Sequence, residues 1–132
     1  MVTYVLPSSV AIRVLEYVRE DGSIPFKEWF DRLDAAAAAK VAAAQVRLSQ
    51  GNTSKVKWFS GLGEQVIDWG PGYRIYLAKD GEKLIVLFGG GTKRRQQRDI
   101  ERAKELLAEY KARKAKPKNK ESPDGQRRRR KG

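Results

Sequence analysis

Apolar positions along this chain alternate at first, then recur at steps of three and four, then alternate again. Val10 to Val18 reads as an opening strand, with Ile12, Val14 and Val18 on one side and Ala11, Leu15 and Tyr17 on the other. Glu20-Asp21-Gly22-Ser23 marks a turn, Ser23 is the expected N-cap of the next element, and Pro25 suits a first helical turn, where its missing N–H costs nothing. Phe26, Trp29, Phe30 and Leu33 then form a helical stripe, expected to be core. Asp34 followed by Ala35–Ala39 predicts a second cap and helix, which continues through Val41, Ala44 and Leu48 and stops at Gly51-Asn52. A tight helical pair or one long bent helix would satisfy this pattern.

From Val56 the alternation returns. Val56–Phe59, Gln65–Trp69, Tyr73–Ala78 and Leu84–Phe88 are predicted strands, rich in β-branched and aromatic residues. Gly70-Pro71-Gly72 separates the second from the third, and Lys79-Asp80-Gly81-Glu82 the third from the fourth, where Asp-Gly favours a hairpin. Leu84 to Phe88 is apolar throughout, as a central strand covered on both faces should be. Gly89-Gly90-Gly91 is expected to end it. A last helix from about Gln96 to Arg113 carries Ile100, Ala103, Leu107 and Tyr110 on one side. The order is strand, two helices, three or four strands and a helix, which predicts an α+β fold with helices packed on a sheet.

Composition narrows the chemistry. The 132 residues suffice for one domain with a modest core. There is no cysteine and no histidine, which removes thiolate sites, the commonest metal ligand and the commonest general base. No metal or other cofactor is expected, and any reaction must run on Arg, Lys, Tyr, Asp, Glu, Ser or Thr. No apolar run approaches the roughly 20 residues of a membrane-spanning helix, and Met1 to Val10 lacks the layout of a secretory signal, so a cytoplasmic protein without a membrane partner is expected.

The net charge of +12 is uneven. Lys111 to Gly132 holds eleven Lys/Arg against Glu121 and Asp124, a net +9, which leaves only +3 for the first 110 residues. Bulk charge therefore says little about the folded part. Beyond Lys116, the Pro117, Pro123 and Gly125 positions and the Arg127–Lys131 run predict a disordered basic tail that raises nonspecific affinity for nucleic acid.

Local chemistry says more. Lys93, Arg94, Arg95 and Arg98 open the last helix directly after three glycines. A helix start carries free N–H groups and partial positive charge, so cations are disfavoured there unless an anion joins them. Phosphate suits such a site, and a solvated charged loop is the simpler alternative. The residues do not form a Walker or dinucleotide fingerprint. Arg74 is the second candidate, because it interrupts an apolar strand. It either faces solvent, pairs with Glu64 or Asp68, or works. Alternation puts Arg74 and Tyr76 on one side and Tyr73 and Ile75 on the other. Trp58, Phe59, Trp69, Tyr73 and Tyr76 can stack on bases or fill core.

Several segments resemble the phage-derived addiction module killer branch of the RelE/ParE superfamily of toxins: the run from Glu20 to Asp34, Gly51-Asn52, Gly70-Pro71-Gly72-Tyr73-Arg74-Ile75-Tyr76, and Gly89 to Ile100. The likeness spans roughly Val14 to Lys114. It implies a RelE-like domain over residues 1–114, with an N-terminal helical pair and a C-terminal helix on a mostly antiparallel four-stranded sheet, and residues 115–132 as tail. It also implies a type II toxin, held in a toxin–antitoxin hetero-oligomer by a small helix-turn-helix antitoxin. Many such toxins cut mRNA on the ribosome as endoribonucleases, others poison DNA gyrase, and an inactive relative that only binds antitoxin or nucleic acid is the third alternative. The resemblance assigns catalytic roles to Arg74, Lys93 and Arg94, and nucleic-acid contacts to Lys57, Tyr73, Tyr76, Arg95, Gln97 and Arg98. Proton transfer would fall to Tyr73, Tyr76, Glu64 or Asp99. Relatives commonly carry Glu-Leu-Arg-Ile in the preceding strand, where this chain reads Glu64-Gln65-Val66-Ile67.

Overall fold

The computed structural model describes residues 12–116. Val10 and Ala11 of the expected first strand, and the tail from Pro117 onward, lie outside the described residues. Strand β1 (Arg13–Glu16) is followed by helices α1 (Pro25–Phe30) and α2 (Ala35–Ser49). Then come β2 (Val56–Phe59), β3 (Leu62–Ile67), β4 (Tyr73–Lys79), β5 (Leu84–Thr92), a 3-10 turn at Lys93–Arg95, and α3 (Gln96–Ala115). The chain is an α+β protein with one five-stranded sheet in the order β1-β5-β4-β3-β2.

The sheet corrects the four-stranded expectation. β2 to β5 pair antiparallel with their sequence neighbours, whereas β1 joins β5 in parallel, Arg13 opposite Leu84 and Glu16 opposite Leu87. A parallel partner needs a crossover connection, and α1 and α2 lie in the chain between β1 and the rest. The predicted apolar strand is thus covered on both edges and both faces.

Each face has its own core. Phe26, Val41, Ala44 and Leu48 of α1 and α2 pack on Ile67, Ile75, Leu77, Ile85 and Leu87. Ala103, Leu106 and Leu107 of α3 pack on Leu62, Tyr76, Ala78, Val86 and Phe88 from the other side. Ala37, Val41, Ala44 and Leu48 of α2 are fully buried at helical spacing, and the small residues let the helix lie close to the sheet. Two separate helices form, and Asp34 caps the second by accepting from the Ala37 N–H at 2.8 Å. Ser23 does not cap the first: its N–H and hydroxyl both donate to Asp21, and Ile24 occupies the cap position.

The glycines do not end β5; they continue it. Gly89, Gly90 and Gly91 pair with Tyr76, Ile75 and Arg74. Phe88 is an extra residue in the ladder, because Leu77 pairs with Leu87 and Tyr76 with Gly89. Lacking side chains, the glycines admit bulky neighbours: a methyl group on Gly90 would collide with the Trp29 ring from α1, and one on Gly91 with the Asp99 carboxylate from α3. No helix among the described residues is long and apolar enough to cross a membrane.

Candidate nucleic-acid interface

Directly opposed residues on neighbouring strands share a face. Lys57, Glu64, Tyr76 and Gly89 therefore form one row across the sheet, and Val66, Arg74 and Gly91 the next, both on the side of α3. The expected division of β4 holds, because Tyr76 belongs to the core under α3 while Tyr73 and Ile75 pack toward α1 and α2.

Arg74 is 7% exposed and Glu64 only 2%. The guanidinium donates through Nη1 to the Gly72 carbonyl at 2.5 Å, and its Nε lies 3.4 Å from Oε2 of Glu64 in an ion pair without hydrogen-bond alignment. The same Oε2 accepts from the Tyr76 hydroxyl at 3.2 Å and from Nε2 of Gln96 at 2.8 Å. Buried charges persist only when paired and bonded in this way. Burial and the adjacent Glu64 charge push the Tyr76 phenol well above its ordinary range. Of the options open for Arg74, the structure selects pairing with Glu64.

Gln96 is the first residue of α3, so its bond to Glu64 pins the start of that helix to β3. One turn on, the Asp99 carboxylate occupies the space over Gly91, and its buried Oδ2 has no hydrogen-bond partner among the described residues. Burial raises the pKa of Asp99, against the pull of Arg95 and Arg98.

Above this buried group lies the cationic turn. Lys93, Arg94 and Arg95 are exposed, as are Gln97 and Arg98 in the first turn of α3. Thr92, Arg94, Arg95, Gln97 and Arg98 line one shallow depression. Neither Thr92 nor Arg95 gives its helix start a side-chain cap, which leaves backbone N–H groups there without side-chain acceptors. None of the four cations makes an ion pair among the described residues. The Lys93 N–H donates to the Pro71 carbonyl at 3.4 Å, and a methyl on Gly72 would stand 3.0 Å from Nη1 of Arg74 and 3.5 Å from Cβ of Lys93. Gly72 itself has φ +75°, open to glycine and strained for other residues.

Of the nine residues expected here, Lys93, Arg94, Arg95, Gln97 and Arg98 are brought together at the surface, with Arg74 beneath them. Lys57 is exposed on β2, at the outer edge of the sheet. One expectation needs correction, because Tyr76 is 1% exposed and cannot offer its ring to a base. Tyr73 is half-buried and packs on the opposite face between Trp29 and Trp69. Sequence reasoning missed Gln96, which had no signal of its own. Glu64-Gln65, two polar residues inside a strand, was the available hint of a buried polar group.

No family model matches the chain. It is similar to a protein of Haemophilus influenzae (strain ATCC 51907 / DSM 11121 / KW20 / Rd) described as an uncharacterized protein, at 38% identity over 89 residues, which cover 66% of this chain and 90% of that protein. The chain belongs to the family of that protein. The match thus takes in nearly the whole length of that relative.

Proposed function

We propose that this protein is the toxin of a type II toxin–antitoxin pair, of the RelE/ParE kind, and that it cuts mRNA on the ribosome. One observation carries the reading: four cations that make no ion pair among the described residues, Lys93, Arg94, Arg95 and Arg98, crowd an uncapped helix start at the end of a glycine-rich strand. Such a surface suits phosphate groups. The resemblance in the Gly70–Tyr76 and Gly89–Ile100 segments supplies the toxin class and the helix-turn-helix antitoxin as partner.

The chemistry needs no histidine. An RNA 2′-hydroxyl attacks the adjacent phosphate when cations stabilise the charge that builds in the transition state and hold the groups in line. Lys93 and Arg94 are exposed to do so, while Arg74 is buried and tied to Glu64, so its role here is to set the turn above it. Glu64 is bonded to three side chains and the Asp99 oxygen left without a partner among the described residues is buried over Gly91, so the proton of the 2′-hydroxyl passes to water or to a group of the ribosome.

The burial of Arg74, together with Val66 beside it, favours a second reading, a toxin that binds and blocks its target without cutting. Induced expression with and without the antitoxin gene, followed by mapping of mRNA 5′ ends, separates the two. Codon-phased cuts that disappear in Lys93→Ala and Arg94→Ala variants support the nuclease. Toxicity with intact mRNA and arrested DNA supercoiling supports blockade, and absence of toxicity overturns both.

A further inference from the structure

Beside the cationic turn, on the other side of the Gly70-Pro71-Gly72 loop, stands an aromatic ladder that leads from the core to the surface. Trp29 packs against Tyr73 with ring centroids 6.3 Å apart at 62°, and Tyr73 stacks on Trp69 at 6.2 Å and 23°. Trp29 and Tyr73 belong to the core against α1 and α2, whereas Trp69 is 37% exposed. Its backbone is fixed at both ends of a four-residue turn, since the Trp69 N–H donates to Ile67 and the Trp69 carbonyl accepts from the Gly72 N–H at 3.1 Å. The exposed indole is thus held in place before any ligand arrives. Lys40, exposed on α2, sets its ammonium 5.6 Å from the indole centroid.

The loop that carries Trp69 also touches Lys93, the first residue of the cationic turn, through Pro71 and Gly72. A π-surface with one cation over its ring and a cationic turn beyond its loop matches the two halves of a nucleotide, a flat base and a phosphate. We infer that Trp69 is a base-stacking platform for single-stranded RNA, with Lys40 moving from the ring to an adjoining phosphate. This rests on the reading of Lys93–Arg98 as a phosphate-binding surface. It assigns the RNA a path from that turn across the Gly70–Gly72 loop toward α2.

Binding of a single-stranded oligouridylate and of inorganic polyphosphate to the full chain tests the inference. Trp69→Leu should weaken oligouridylate binding about tenfold or more while leaving polyphosphate affinity and the salt slope unchanged. Trp69→Tyr, which keeps a ring, should bind within a few-fold of the parent, and Lys40→Ala should lower the salt slope by about one. RNA should still quench tryptophan emission in Trp58→Leu. If Arg95→Ala/Arg98→Ala loses both ligands but Trp69→Leu and Trp69→Tyr bind RNA like the parent, the phosphate surface stands and the stacking platform falls. If the parent binds polyphosphate but shows no preference for RNA, the platform falls as well. If it binds neither, both readings fall.

Discussion

The two ends of α3 use the same kinds of residue for opposite purposes. At the C-terminal end, Lys114 reaches Asp80 at 2.6 Å, Asp80 also accepts from Tyr110, Arg113 donates to Tyr17 and to the Val18 carbonyl, and Glu109 binds Arg19 at 2.8 Å. Those charges fasten the helix to the segment that follows β1 and to the β4–β5 turn. At the N-terminal end the fastening is done below the surface by Glu64, Gln96 and Arg74, and the exposed cations are left without partners among the described residues. Charge that is satisfied within the fold stabilises it. Charge kept apart from partners destabilises a helix start slightly and remains available to a ligand.

Breaking the buried group should separate the two ends most sharply. Glu64→Ala strands the Arg74 guanidinium in the interior, with an expected loss of about 3–5 kcal/mol measured by chemical denaturation. Gly91→Ala forces a methyl into the place of the Asp99 carboxylate and should cost about 1–3 kcal/mol. Pairing it with Asp99→Ala should recover much of that loss, which a double-mutant cycle reads directly. Lys114→Ala removes a half-exposed pair at the other end and should cost below about 1 kcal/mol. Arg95→Ala/Arg98→Ala should change stability by less than about 0.5 kcal/mol, while removing polyphosphate binding.

Acid should act on the two ends in opposite senses. Hydrogen bonds from Arg19 and Tyr17 hold the Glu109 pKa down to about 2, so its contribution is present above the ordinary carboxylate range and fades as pH falls toward that value. Asp99 is shifted upward by burial, so its contribution is fullest at low pH and is lost as pH rises through its folded pKa. Amide exchange along α3 at acid and neutral pH should therefore show the C-terminal turns loosening in acid while the first turn tightens. Asp99→Asn should remove the second trend and leave the first.

The elements were legible because apolar period is a local property: α2, β4 and α3 follow it closely. The parallel place of β1 was not, because its pairing with β5 joins residues some seventy positions apart that carry no mark of each other. The glycine run, expected to end the strand, instead makes room for Trp29 and Asp99 beside a strand that continues. The surface site was visible because its cations adjoin in sequence. The group beneath it was only half visible: Arg74 advertises itself by interrupting an apolar strand, but Gln96 becomes significant only once the fold sets it over Glu64.

The extra residue at Phe88 has a consequence for how this strand can vary in length. Because Phe88 and Gly89 together oppose Tyr76, removing one residue there would straighten the ladder without reversing it. Gly90 would still lie under Trp29 and Gly91 under Asp99. A deletion beyond the glycines, between Thr92 and Asp99, would instead turn the Asp99 carboxylate away from the bare position at Gly91. Homologues should therefore differ by a residue at Phe88-Gly89, and hold the spacing from Gly90 to Asp99 fixed.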